Sequence, residues 1–256
     1  MTSTSSTRSK TAADILDIFN ADVTRYFDQE DDELDPYVVC DGVSVDAFNE
    51  YIGDGEGLRI GLRFMWLSDD GRIMIVDLPT LVHECTADSF KKLFNHAVGN
   101  ASEWGNALPN KEADATFGPK ESTPPAPRTG IADLVTLAVE IGRSQTWASL
   151  EQAVRWWLGY PGIEYVLLLK ISARAQQMRY ALYDSSTDAI IPTASDTFRR
   201  RANGAAVNVT FDMRRILAMP ANVALRTQSL LSTCAPLWMK SSRALHKNSF
   251  EIVEES

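Results

Sequence analysis

Basic residues, cysteines and histidines are the scarce classes in this chain. Lysine and arginine together number 25 against 34 acidic residues, a formal charge of −9. That disfavours general nucleic-acid affinity, because phosphate binding needs a basic face, and leaves room for a local basic face outside the acidic N-terminal end. The three cysteines, Cys40, Cys85 and Cys234, lie far apart, and none has a Cys or His neighbour at metal spacing. A zinc knuckle and a disulfide framework are therefore excluded, and a reducing compartment is expected. With three histidines and no Gly-x-Ser-x-Gly elbow, a nucleophilic triad has few options. Gly-x-Gly-x-x-Gly and the phosphate-binding loop are also missing. Gly53-Asp-Gly-Glu-Gly57 precedes a strand pattern instead of joining strand to helix. No apolar run approaches the roughly 18 residues that span a membrane. Residues 1–10 are Ser/Thr-rich with no apolar stretch behind them, so no secretory signal is expected. The expected location is intracellular, cytoplasmic or nuclear, with no membrane partner.

What is present is an ordinary globular composition, 45 % hydrophobic and 23 % charged over 256 residues. The acidity is uneven: the first 50 residues hold three basic and twelve acidic side chains. Three regions are expected. Residues 1–35 form an acidic, partly disordered segment, a candidate contact for a protein partner. Residues 36–220 form an α/β core. Residues 221–256 form an extension and tail, the first part of which is ambiguous, with helix as one option.

Within the core, Leu58, Ile60, Leu62, Phe64 and Trp66 alternate with other residues, which predicts a half-buried strand. Ser68-Asp-Asp-Gly71 is a turn signal, and 72–76 completes a hairpin. The pattern over 79–98 predicts a helix, and 113–117 a short strand. Val135, Leu137, Val139 and Ile141 alternate as a strand. A short helix is expected over 149–158, ended by Gly159, with Ser149 and Gln152 as a capping box. Residues 164–171 are nearly all apolar, as in a central strand covered on both faces. Later strands are expected at 178–183 and 207–213. Helix patterns interleaved with buried strands predict a mixed α/β sheet flanked by helices, with an extra N-terminal hairpin and C-terminal strands.

Two acids stand out because their surroundings are apolar. Asp114 lies in Glu112-Ala-Asp-Ala-Thr-Phe117 and Glu140 in Leu137-Ala-Val-Glu-Ile-Gly142. A carboxylate in such a strand is costly unless paired, protonated or bound to a metal. If the two strands are neighbours, both carboxylates reach one point. Two carboxylates, a backbone carbonyl and waters are what Mg²⁺ or Mn²⁺ takes.

The order helix, Asp strand, Glu strand, helix, strand resembles the restriction-endonuclease-like PD-(D/E)XK superfamily. It is most similar there to the uncharacterised restriction-endonuclease domain proteins. The matching pieces are Asp114, Val139-Glu-Ile-Gly-Arg-Ser144, Trp156-Trp157 and Gly162-Ile-Glu-Tyr165 running into 166–171. Leu78-Pro-Thr-Leu-Val-His-Glu84 is similar to the opening of that fold's first helix. The resemblance covers roughly residues 58–172. It implies a metal-dependent nuclease hydrolysing phosphodiester bonds, with DNA favoured over RNA. Asp114, Glu140, the Ile141 carbonyl and Glu84 are the implied ligands of Mg²⁺ or Mn²⁺, with His83 a weaker candidate. The family places a Lys two residues after the Glu, and this chain has Gly142 there. Where that Lys moves to the following helix, the position is Gln152 or Ala153. Gln152 and Arg155 are thus the nearest catalytic candidates, and Lys111 and Lys170 more remote ones. Arg199, Arg200 and Arg201 form a candidate nucleic-acid-binding patch. The competing expectation is a catalytically degenerate domain of the same fold, serving as a protein- or nucleic-acid-binding module.

Overall fold

The structure is a computed structural model that describes residues 22–27, 33–53, 58, 60–98, 101–103, 111–119, 135–187, 190–199, 208–219 and 229–233. Helices are α1 (Asp22–Phe27), α2 (Val45–Ile52), α3 (Leu81–Val98), α4 (Trp147–Leu158) and α5 (Met213–Ile216). Strands are β1 (Tyr37–Cys40), β2 (Met65–Leu67), β3 (Ile73–Ile75), β4 (Ala101–Glu103), β5 (Ala115–Pro119), β6 (Leu137–Gly142), β7 (Tyr165–Ile171), β8 (Gln177–Asp184), β9 (Ala194–Arg199), β10 (Asn208–Asp212) and β11 (Ser229–Thr233). The mixed α/β class expected from the sequence is the one adopted. No helix among the described residues is long and apolar enough to cross a membrane.

The main sheet has six strands in the order β4-β5-β6-β7-β8-β9. Within it β6 and β7 run parallel, with Glu140 beside Leu168. A parallel pair needs a crossover, and α4 supplies it. The two-residue period of β6 sorts its side chains cleanly. Leu137, Val139 and Ile141 join Phe90, Phe94 and Phe117 in one buried cluster. Ala138 joins Leu150, Val154 and Trp157 of α4 in the other. Glu140 shares the face of Ala138, so it looks toward α4. Trp157 and Leu150 are fully buried there. Each contributes roughly 1.5–3 kcal/mol through loss of apolar surface from water.

The N-terminal part builds a separate three-stranded antiparallel sheet, order β1-β3-β2. The expected hairpin is present as β2 and β3, with Met65 opposite Ile75. Its first strand is shorter than the alternation over 58–66 predicts. Residues Leu62–Phe64 form a 3₁₀ turn, and Leu62, Phe64 and Met65 are all buried. A strand cannot bury the neighbours Phe64 and Met65 on one side, so the chain turns. Asp77, two residues after β3, is buried and ties this sheet to the other. Its Oδ2 accepts the Arg143 and Ser144 amides at 2.8 and 3.2 Å, and its Oδ1 accepts the Ser144 hydroxyl at 2.6 Å. The end of the acidic run also docks: the Leu34 amide donates to the Ser144 carbonyl at 2.7 Å.

Helix α4 begins two residues earlier than expected. Its N-cap is Thr146, whose hydroxyl accepts the Ser149 amide at 3.3 Å. Ser149 is therefore inside the helix, and the Ser149–Gln152 capping box does not form. The later strands β8 and β10 lie where expected. In the stretch that is ambiguous in sequence, Ser229–Thr233 is a strand paired antiparallel with β10. Strand β9 is hidden in the sequence by its polarity, since it is an exposed edge strand of Ala-Ser-Asp-Thr-Phe-Arg.

Candidate functional site

The register Ala115↔Val139 sets Asp114 across from Glu140 on the neighbouring strand. Both residues are 5 % exposed. The two acids singled out by their apolar surroundings therefore meet, one just before β5 and one near the end of β6. Burial pushes the Glu140 carboxyl above its ordinary range; the Lys111 ammonium pulls it down and the Asp114 charge pushes it up.

Lys111 is the lysine that reaches Glu140 among the described residues. Its Nζ lies 3.0 Å from Glu140 Oε1, and its side chain is 13 % exposed. The Trp157 indole N–H donates to the same Glu140 oxygen. Lys111 thus comes from the segment before the Asp strand, three residues ahead of Asp114, and not from the Glu strand or α4. The position two residues after Glu140 is crowded by neighbouring side chains. A Cβ on Gly142 would lie 2.9 Å from Leu150 Cδ1 and 3.0 Å from Gln145 Cγ.

Asp114 is held from the other side. Its Oδ2 accepts the Ile141 amide at 2.6 Å. Buried His83, from the first turn of α3, places Nε2 2.8 Å from the Ile141 carbonyl and 3.1 Å from Asp114 Oδ1. Burial is the largest single influence on this ring and opposes its charge, but Asp114, Glu84 and Asp77 together overcome it, so the imidazole is raised to about 10. Neither Asp114 Oδ1 nor His83 Nδ1 has a hydrogen-bond partner of good geometry among the described residues.

Glu84 is not brought to the pair. Its Oε1 binds the Arg63 guanidinium at 2.5 Å and lies 3.6 Å from His83 Nδ1, so the imidazole stands between it and Asp114. His83 first, then Arg63, holds the Glu84 carboxyl at about 2. The Ile141 carbonyl is close but already engaged by His83. Gln152 and Arg155 are exposed on α4 and line a cleft that also contains Lys111. Lys170 is turned away: its Nζ donates to the Gln145 carbonyl at 2.5 Å and lies 3.4 Å from Glu33. Arg199 is exposed on β9, three strands from β6 and hence about 14 Å across the sheet. Arg200 and Arg201 lie outside the described residues.

The donor set fits a small divalent cation at Asp114 and Glu140. Both offer hard carboxylate oxygens in one locality, and Asp114 Oδ1 is buried with no well-aligned hydrogen bond among the described residues; an ion there would displace the His83 ring nitrogen, 3.1 Å from Asp114 Oδ1, and the Lys111 ammonium, 3.0 Å from Glu140 Oε1. Glu84 does not belong to that set. Among the described residues no group of three His, Cys, Asp or Glu side chains converges on one point. A cation here would complete its shell with water, as Mg²⁺ commonly does.

Sequence reasoning misses Asp77, although the signal is the same as for Glu140: an acid ending an apolar run, Ile73-Met-Ile-Val-Asp77. It makes Lys111 a remote candidate because sequence spacing does not show that residue 111 and strand β6 are neighbours.

No protein-family model and no curated protein matches the chain. Among solved structures it is similar to a candidate nuclease belonging to DUF820 from Anabaena variabilis. That similarity has a TM-score of 0.45 at 12 % identity, covering 77 % of this chain and 98 % of the other.

Proposed function

We propose that the chain is a metal-dependent nuclease acting through Asp114, Glu140 and Lys111. The observation that carries the reading is a buried carboxylate pair on adjacent strands with a lysine ammonium 3.0 Å from one of its oxygens. Buried acids of this kind, with a raised carboxyl beside a specific charge partner, are candidates for a functional site.

Asp114 and Glu140 would hold Mg²⁺ or Mn²⁺, and that ion, when bound, supplies an activated water and neutralises charge on the leaving oxygen. The chain's own groups do the rest. The Ile141 amide fixes Asp114 in place. The Trp157 indole fixes Glu140. Lys111 brings the positive charge that a phosphodiester needs as its oxygens gain charge in the transition state. Gln152 and Arg155, along the same cleft, are placed to steady the strand. DNA is the substrate that the sequence resemblance favours.

A second reading has its own observation. Lys111 and Trp157 satisfy Glu140, while His83 occupies the Ile141 carbonyl. A cluster so well satisfied by protein groups also suits a degenerate domain that binds without cutting. Cleavage assays separate the two. Incubation of DNA and RNA with Mg²⁺ or Mn²⁺ is expected to show hydrolysis. Asp114→Asn and Glu140→Gln should abolish it, and Lys111→Met should slow it by about 10²-fold or more. No cleavage with either ion, or cleavage indifferent to these substitutions, leaves the binding module as the better reading.

A further inference from the structure

Beside the carboxylates runs a cleft of about 740 Å³ between the β2–β3 hairpin and helix α4. Trp66 lines one wall, and Trp156 and Arg155 line the other. Gln152, Lys111 and Asp69 also line it. Lys111 connects this cleft to the site, since the same ammonium contacts Glu140. Trp156 connects it a second time. Its ring packs edge-on against Trp157 with centroids 4.9 Å apart, and Trp157 donates to Glu140. Trp156 is also stacked on Tyr160, at 5.8 Å and 16° between planes, which holds the indole in one orientation.

We infer that this cleft receives one unstacked nucleotide of a single-stranded nucleic acid, with its base against the tryptophans and its phosphates toward Arg155 and Lys111. The inference deepens the nuclease reading by naming the form of the substrate, and it rests on that reading for the hydrolysis of the bound strand. Three observations support it. First, the volume lies within the range of sites for small molecules, roughly 300–1,000 Å³. It suits a nucleotide and not a duplex. Second, the lining combines aromatic faces with two cations and a side-chain amide, the combination by which proteins hold single strands. Third, the charge of −9 works against a duplex. Duplex affinity comes largely from neutralising many phosphates, and in this chain 34 acidic residues outnumber 25 basic ones. Stacking needs no such excess of positive charge, so a chain of this composition gains more from a base in a cleft than from a backbone along a groove. Of the six lining residues named, Asp69 is the one acid, against the cations of Lys111 and Arg155.

The test keeps binding apart from cleavage. Fluorescently labelled oligothymidylate, oligouridylate and a blunt duplex of equal length are titrated in EDTA against the full chain and its variants. Single-strand binding with quenching of tryptophan emission is expected, and a duplex at least tenfold weaker. Trp156→Leu and Arg155→Gln should each weaken binding by roughly tenfold. Lys92→Gln, which removes an exposed cation of α3 outside the cleft lining, should bind as the unaltered chain does. The two oligonucleotides show whether the bound strand is DNA or RNA. Equal affinity for duplex and single strand overturns the inference. So does unaltered binding by Arg155→Gln, an exposed position whose replacement leaves the core intact, or no binding at all. If single strands bind as described but no metal ion supports their cleavage, the nuclease reading fails and the cleft assignment stands.

Discussion

Removing the charge of Lys111 leaves Glu140 buried with the Trp157 indole as its remaining described contact. The ammonium is one of the two groups that hold the Glu140 carboxyl down, so in Lys111→Met that carboxyl moves further upward. A nuclear magnetic resonance titration of Glu140 should show this shift. An unchanged Glu140 would mean that Lys111 does not sense it. Gly142 makes the complementary point. Placing lysine there creates the spacing that the sequence resemblance implies, but the new Cβ would meet Leu150 at 2.9 Å, and Leu150 is fully buried. Overpacking of this kind costs about 1–3 kcal/mol. Gly142→Lys is therefore expected to lower the melting temperature and give no gain in cleavage. A stable and more active variant would contradict the packing described around Leu150. One residue explains the other: Leu150 fills the space beside β6, and the cation arrives from before β5.

At the scale of elements, the turn after β6 depends on a side chain from elsewhere. Asp77 accepts two amides and a hydroxyl from Arg143 and Ser144, as well as the Leu78 amide at 2.9 Å. Asp77→Ala leaves buried donors without partners, each costing about 1–3 kcal/mol. Chemical denaturation should show a loss of roughly 2–4 kcal/mol, and the variant should also lose activity because β6 carries Glu140. A loss below about 1 kcal/mol would show that water or another group replaces the carboxylate. The main elements are legible in the sequence for clear reasons. Strands β6 and β7 are long apolar runs, and α3 and α4 carry helical stripes. The pairing of Asp114 with Glu140 is legible too, because buried acids are conspicuous in apolar strands. Three features are not. The polar edge strand β9 carries no burial signal. The 3₁₀ turn at 62–64 imitates a strand's alternation until Phe64 and Met65 are both buried. Glu84 has the spacing of a site residue, yet Arg63 from outside its helix holds it, and no local pattern announces such a partner.

At the scale of the whole molecule, a second charge cluster joins distant parts of the chain. Arg215 of α5 binds Asp184 at 2.7 Å and Glu164 at 2.7 Å. The Arg215 guanidinium holds the Asp184 carboxyl at about 2, against burial, which works in the opposite direction, and with help from Ser186. A carboxyl depressed in the folded state stabilises that state above its ordinary value of 3.8, and the contribution is lost as pH falls toward 2. Solvent screening of this partly exposed pair brings the contribution to about 1 kcal/mol. Melting temperatures should drop between about pH 4 and pH 2, and the drop should be shallower in Arg215→Met. Equal slopes would mean that other carboxylates govern acid unfolding.

The central claim is that Asp114 and Glu140 form a divalent-cation site, and calorimetric titration with Mn²⁺ tests it most directly. Binding near one equivalent is predicted in the unaltered chain, and none in a folded Asp114→Ala, Glu140→Ala double variant. Absence of binding in the unaltered chain, or binding that survives in the variant, would contradict it.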